Sequence, residues 1–308
     1  MSKLYMMIGL PASGKSTIAE EISKSEGAII VSSDEIRKEL LGDINDQSKN
    51  SLIFETVEDR IKFYLANKQD VIFDATNINY KKRRAFLQRM RSCKYFEAIA
   101  ILAATPYEEC LIRNANRERK VPEDVIKRMY YNFYIPQYYE GFDDIRIIGD
   151  PTEWSESVQK QYTMLNLLES MDIPQDNPHH TLTVRQHCEK VQEIINKDIK
   201  KYYMRDIGIF HDIGKVETKS FINTKGEKTN VAHYYNHEKV SAYISVLPII
   251  WAHYIPEQDL IKRANLIQWH MIMHFDWQEK TINKYKKMLG EETWKDLEIL
   301  HKADCEAR

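Results

Sequence analysis

Apolar residues along the chain follow two rhythms. Up to about residue 150, short β-type runs alternate with stretches whose apolar positions recur every three to four residues; the runs are Leu4 to Gly9, Ala28 to Ser32, Val71 to Asp74, Ala98 to Ala103 and Ile145 to Ile148. That alternation predicts βα units around a mostly parallel sheet. Beyond Asp150 and Pro151 the helical rhythm continues almost alone, broken by the turn-rich stretch Asn223 to Asn230, where Lys225 and Gly226 suit a hairpin. The expected fold class is therefore an α/β domain with a parallel sheet followed by an all-α domain. Asp172 to Pro178, polar and with two prolines, is a second weak point, which leaves Thr152 to Met171 as a connecting helix. The expected division is 1–150, a linker over 151–174, and 175–308.

A length of 308 residues suits two domains of ordinary size. With 43% hydrophobic and 29% charged residues the chain supports packed cores rather than extended disorder. Lys and Arg total 44 against 46 Asp and Glu, so a polyanion is not attracted by the surface as a whole and any nucleic-acid site must be a local patch. The longest apolar run, Ala98 to Ala104, falls far short of the roughly 18 residues that span a bilayer, and the chain starts directly on a strand-like segment. No signal peptide or membrane association is expected. Cys93, Cys110, Cys188 and Cys305 lie far apart with no CxxC pair, which indicates neither a thiolate zinc site nor a disulfide framework and fits a cytoplasmic location.

Residues 9–16 read GLPASGKS, a GxxxxGK[ST] loop between an apolar run and a helical pattern. Such a loop surrounds phosphates with backbone N–H groups at a helix N-terminus. The expected nucleotide-binding residues are Gly9, Ser13, Gly14, Lys15, Ser16 and Thr17, with Lys15 on the β and γ phosphates and the Ser16 hydroxyl on Mg²⁺. This motif does not name the phosphate acceptor. At the end of the second strand, SSDEIR (32–37) puts Asp34 and Arg37 where ligands of open α/β sheets bind. Asp34 suits the acceptance of a proton from an attacking hydroxyl and Arg37 the holding of a phosphate; helix capping by Ser33 or Asp34 reads the same residues equally well. The third strand ends in FDATN (73–77), again polar at the carboxyl edge. Arg113 and Arg117, spaced to share a helix face, and Arg119 just after them, suit either a lid over ATP or a solvated helix surface. Between Lys81 and Lys94 stand seven basic residues and no acidic ones, the best local candidate for a phosphate backbone, with a solvated helix as the alternative.

In order and separation, GLPASGKS, SSDEIR, FDATN, RNANR (113–117) and VPEDVIKRMYYNF (121–133) resemble the kinase domain of phage-type polynucleotide 5'-kinases. The resemblance covers nearly all of residues 1–150. It implies that Asp34 is the general base, that Arg37 contacts the acceptor phosphate, that Thr76 and Asn77 lie near the acceptor, and that Arg113 and Arg117 contact the ATP donor. One departure is Ser33, where that family often carries a basic residue, so acceptor preference differs.

The second half places His187 in a helical pattern, His211 and Asp212 within FHDIGK (210–215), then His237, His270 and Asp304. Imidazoles and carboxylates suit divalent metals, and an adjacent His-Asp pair can bridge two ions. The H…HD…D pattern and the words HTLTVRQH, YNHEKVSA and HKADCEAR resemble the HD phosphohydrolase superfamily over roughly 175–308. That resemblance implies His187, His211, Asp212 and Asp304 as metal ligands, His237 and His270 as the extra ligands of two-metal members, and Lys215 on the scissile phosphate. The metals would be one or two divalent ions such as Mn²⁺, Ni²⁺, Co²⁺, Fe²⁺ or Zn²⁺, able to polarise a phosphoryl group and activate water. His179, His180, His233 and His274 are expected as capping, surface or supporting residues. The six-ligand pattern also occurs in HD-domain di-iron oxygenases.

A kinase and a phosphohydrolase on one chain avoid futility only by acting at different positions. The pair implies end healing of RNA or DNA, with 5'-OH ends phosphorylated from ATP, 3'-phosphate or 2',3'-cyclic phosphate ends cleared, and a ligase acting downstream. A nucleoside or other small-molecule kinase fused to a nucleotidase, and an ATP-binding sensor with one degenerate site, are the alternatives.

Overall fold

The computed structural model describes residues 1–93, 95–178, 181–197, 201–204, 206–247 and 255–307; Lys94, His179 and His180 lie outside these. Among the described residues the first half forms a five-stranded sheet from β1 (Ser2–Ile8), β2 (Ile29–Ser32), β3 (Val71–Asp74), β4 (Phe96–Ala103) and β5 (Asp144–Ile148), in the order β2-β3-β1-β4-β5. Every pairing is parallel. The central strands β1 and β4 are buried almost from end to end because a parallel sheet is covered on both faces, which is why they read as continuous apolar runs. Helices α1 (Lys15–Glu26), α2 (Ser33–Leu41), α3 (Asn50–Ala66), α4 (Tyr80–Met90), α5 (Tyr107–Asn116) and α6 (Glu123–Tyr131) follow the strands in sequence. Tyr5, Met7, Ile72, Ile99 and Ile101 pack against Ala19 of α1 and form one core cluster.

The chain divides into two compact units: residues 1–129 with 136–149, and residues 130–135 with 150–308. The six-residue exchange is driven by aromatics. Tyr130 and Phe133 both pack edge-on against Tyr243, with centroids 5.2 and 4.8 Å away, and the Ile135 amide donates to Gln268 Oε1 at 2.8 Å.

The second unit is largely helical. In place of one connecting helix over 152–171 the chain makes a 3₁₀ turn (Pro151–Glu153) and two short helices, α7 (Glu156–Gln161) and α8 (Met164–Ser170). Asp150 and Thr163 each cap a new start there, and that local capping interrupts a continuous helix. There follow α9 (Val184–Asn196), α10 (Ile207–Phe210), α11 (Lys215–Thr218), β6 (Lys219–Ile222), β7 (Lys228–Tyr234), α12 (His237–Ser245), α13 (Glu257–Trp269), a 3₁₀ turn (His270–His274), α14 (Glu279–Leu289) and α15 (Glu291–Glu306). β6 and β7 pair antiparallel across Asn223 to Glu227 as the expected hairpin, so the unit is not purely α. Among the described residues no helix is long and apolar enough to cross a membrane.

The basic run after Lys81 is dispersed by folding. Arg83 is fully buried on α4 and makes two 2.7 Å hydrogen bonds to Glu140, with a third to the Asn77 carbonyl. Arg89 pairs with Glu58, and Arg91 donates to the Gly141 carbonyl. Only Lys81, Lys82 and Arg84 stay out of ion pairs among the described members of that run. A buried pair broken on one side leaves an uncompensated charge, so Glu140→Gln should lower unfolding free energy by about 3–5 kcal/mol, read from urea denaturation. An effect below about 1 kcal/mol would mean that water reaches Arg83.

Candidate functional sites

The carboxyl edge of the parallel sheet carries the first site. β1 runs into the loop at Gly9, and Gly14, at φ 89°, turns the chain into α1 without any side-chain cap. The first-turn N–H groups of α1 are thus left to an anion. Ser13 Oγ is buried with no hydrogen-bond partner, and Lys15 Nζ, also buried, rests 2.6 Å from the Leu10 carbonyl. Burial lowers the Lys15 pKa from its ordinary value, with the Asp74 carboxylate opposing that shift. Ser16 Oγ donates to Asp74 Oδ2 at 2.9 Å, while Thr17 is exposed on the first turn. Asp74 terminates β3, and burial raises its pKa against the pull of Ser16 and Lys15. Its signal in the sequence was its place at a strand's carboxyl end; Ser16 and Asp74 together offer the oxygen donors that Mg²⁺ needs.

Arg113 sits in the last turn of α5, held by Glu109 at 2.8 Å, and its Nη1 lies 3.7 Å from where a Cβ on Gly14 would stand. Arg117 does not share that helix face: α5 ends at Asn116 and Arg117 is its extended cap residue. The repulsion expected of two arginines one turn apart is relieved by leaving the helix. Arg117 Nε is buried without a partner, and burial, reinforced by Arg119, lowers its pKa. Both arginines fit anionic phosphates.

At the next strand end the cap of α2 is Ser32, which accepts from the Glu35 amide; neither Ser33 nor Asp34 caps it. That releases the Asp34 carboxylate for other contacts. Its Oδ1 accepts from Arg37 at 2.8 Å and its Oδ2 from Arg119, which also donates to Asn45 Oδ1 at 3.1 Å. Arg37 is buried and its other arm donates to Asn50 Oδ1 at 3.1 Å. With Asp34 44% and Arg119 33% exposed, their pair is worth less than about 1 kcal/mol, so an incoming acceptor can displace it. Asn77, at φ 47°, donates to the Met7 carbonyl at 2.9 Å, and the Thr76 carbonyl accepts from the Gly9 amide at 3.1 Å. The first ties the end of the third strand to β1 and the second ties it to the phosphate loop.

The second unit gathers six buried side chains. His187 comes from α9, whose start is fixed by a capping box of Thr183 and Gln186. His211 caps the end of α10, His237 opens α12, His270 follows α13 and Asp304 lies near the end of α15. Their ligand atoms fall into two groups of three, His187/His211/Asp304 and Asp212/His237/His270, each within 4.8 Å. The two oxygens of Asp212 divide between the groups. Oδ2 faces His187 Nε2 at 3.6 Å and His211 Nε2 at 3.4 Å, whereas Oδ1 faces His237 Nε2 at 3.1 Å and His270 Nε2 at 3.7 Å. His187 Nε2 is 3.0 Å from Asp304 Oδ1. Gly214 is required for this approach: a Cβ there would stand 2.4 Å from the His237 carbonyl oxygen.

The far nitrogens set the tautomers. His211, His237 and His270 place Nδ1 at 2.7–2.8 Å from the carbonyls of Gly208, Tyr234 and Ile267, so Nδ1 carries a proton and Nε2 points into the centre. His237 Nε2 faces both His270 Nε2 at 3.4 Å and Asp212 Oδ1 at 3.1 Å, three potential metal donors pointed at one another. A cation between them satisfies that arrangement, and the donor set fits divalent transition metals. Burial and the neighbouring His237 and His211 hold the His270 pKa down to about 3. Burial alone would raise Asp212, but Lys215 and the surrounding imidazoles hold it well below the carboxylate range. Lys215 Nζ lies 2.6 Å from Asp212 Oδ2 and 2.9 Å from Gln175 Oε1. His274 Nε2 stands 2.8 Å from Asp304 Oδ2, and His233 is near Thr229 Oγ1 at 3.3 Å, away from the six.

Comparison with known proteins bears mainly on the first unit, although one relative's match extends into the second. Residues 4–136 match the family model described as an AAA domain. The first unit has an α/β P-loop kinase-like fold with a parallel sheet, which implies ATP as its nucleotide. The chain is 28% identical over 238 residues to the L-seryl-tRNA(Sec) kinase of Methanococcus maripaludis, covering 73% of this chain and 92% of that protein. Among solved structures it is similar to a chain of the Pnkp1/Rnl/Hen1 RNA repair complex, with 26% identity and a TM-score of 0.37 over 42% of this chain and 43% of that one. A fungal RNA kinase is 15% identical, with a TM-score of 0.39 over 52% of this chain and 80% of that one. The chain thus spans less than half of the repair-complex chain it matches.

Proposed function

We propose that the protein heals RNA or DNA ends, phosphorylating 5'-OH termini from ATP in its first unit and removing 3'-phosphate or 2',3'-cyclic phosphate in its second. The observation that carries the two-activity reading is the division of Asp212 between two pairs of imidazoles, on the same chain as a P-loop kinase-like domain. In the first unit Lys15 neutralises charge on the transferring phosphoryl and Asp34 takes the proton of the attacking hydroxyl. Arg37, anchored by Asn50, holds an acceptor phosphate, and Ser16 with Asp74 would hold Mg²⁺. In the second, His187, His211, Asp212, His237, His270 and Asp304 would hold two ions, whose chemistry when bound would be to polarise a phosphoryl group and lower the pKa of water. Lys215 stands beside Asp212, where a non-bridging phosphate oxygen would find a donor.

A nucleic-acid acceptor reading draws support from the relative named as a tRNA kinase, and that same name favours a second reading in which the phosphorylated hydroxyl is carried on an aminoacyl-tRNA. Transfer of label from γ-labelled ATP to a 5'-OH oligoribonucleotide, a free nucleoside and seryl-tRNA separates these. Preference for the oligonucleotide supports end healing; preference for either of the others replaces it.

Acceptor binding should also depend on salt, but modestly. Lys81, Lys82 and Arg84 together release about three counterions, giving log affinity against log salt a slope of about −2 on a single strand, where all seven basic residues would give about −5. A flat response in acceptor KM between low and moderate NaCl would indicate a small-molecule acceptor.

A further inference from the structure

His301 and Cys305 stand four residues apart on α15 and so share one face of that helix. His274, from the 3₁₀ turn after α13, packs its ring edge-on against His301 with centroids 4.5 Å apart. Cys305 Sγ lies 3.7 Å from His301 Nε2, and one ligand atom from each of the three residues falls within 4.8 Å of the others. The imidazoles are half-buried and the thiol is exposed. We propose that His274, His301 and Cys305 form a separate site for one transition-metal ion of the Zn²⁺ or Co²⁺ class. Two imidazoles and a thiolate suit a borderline-soft ion and disfavour Mg²⁺, and three protein ligands leave a fourth position open to solvent. Binding forms a metal–sulfur bond as the Cys305 thiol loses its proton to solvent. The absence of a CxxC pair concealed this site, because the third ligand comes from 27 residues upstream. The site shares no ligand with the six-residue centre, although His274 also touches Asp304.

The test is a titration of metal-free protein with Co²⁺, following the thiolate-to-cobalt charge-transfer absorption that nitrogen and oxygen ligands do not give. The wild type should develop this band and saturate it at an amplitude of one cobalt–thiolate bond per chain, whatever the six-residue centre takes up. Cys305→Ser should abolish it, which also separates it from the buried Cys188, and His301→Ala should weaken Co²⁺ binding at least about ten-fold. The exposed position of Cys305 makes misfolding of the serine variant a small risk, and circular dichroism checks it. No band in the wild type, a band that survives in Cys305→Ser, or one of unchanged affinity in His301→Ala would each overturn the site. Because the band reports only the thiolate, it is expected whether or not the six-residue centre takes metal, so failure here is distinct from failure of the phosphohydrolase reading.

Discussion

Asp212→Ala is expected to strip the second unit of its bound ions and to cut removal of a 3'-terminal phosphate at least about 100-fold, while 5'-phosphorylation continues. The reason is geometric. Each oxygen of Asp212 faces a different pair of imidazoles, so its loss removes a ligand from both halves of the centre at once. His270→Ala removes one donor from one half, and metal analysis should then fall from two ions in the six-residue centre to about one, with hydrolysis reduced roughly ten-fold. Loss of Asp212 also removes the carboxylate that pairs with the Lys215 ammonium, leaving it Gln175 and the face of Tyr234, at a stability cost of about 3–5 kcal/mol. Asp212→Asn, which keeps the volume, serves as the companion variant. Full hydrolysis in both variants would remove Asp212 from the centre.

In the kinase unit, Lys15→Ala and Asp34→Ala should each reduce 5'-phosphorylation by about two orders of magnitude, for different reasons. Lys15 is the buried cation of the phosphate loop, so its loss should slow transfer to every acceptor alike. Asp34 acts on the acceptor hydroxyl, and its removal also frees Arg37 and Arg119 from their shared partner. Steady-state kinetics with a 5'-OH oligonucleotide checks both. Near-normal turnover in Asp34→Ala would assign the base elsewhere.

The strands were legible because a parallel sheet buries both faces: the expected runs at Leu4, Val71 and Ala98 coincide with β1, β3 and β4 to within two residues or so. The phosphate loop was legible for the same reason, since its motif sits at a strand end and a helix start. Long-range pairing was not. Nothing near Arg83 in the sequence announces that Glu140 will bury it, and a run that reads as a basic surface therefore loses three of its members to ion pairs or carbonyls. Arg117 shows a different limit, because spacing places it on a helix that ends one residue earlier. In the second unit the six donors could be named from their residue types, but not their division about Asp212, which depends on Gly214 letting α12 approach and on three backbone carbonyls fixing the imidazole tautomers. His274 and Asp74 acquire their partners only through the fold.

The most direct test uses one oligoribonucleotide carrying both a 5'-OH and a 3'-phosphate, incubated with ATP, Mg²⁺ and Mn²⁺, with both ends read by mass. Wild-type protein should add a phosphate at the 5' end and remove one at the 3' end; Asp34→Ala should lose only the first change and Asp212→Ala only the second. Loss of both changes in either folded variant, or an unaltered 3' end with the metal-loaded wild type, would contradict two separate activities on this chain.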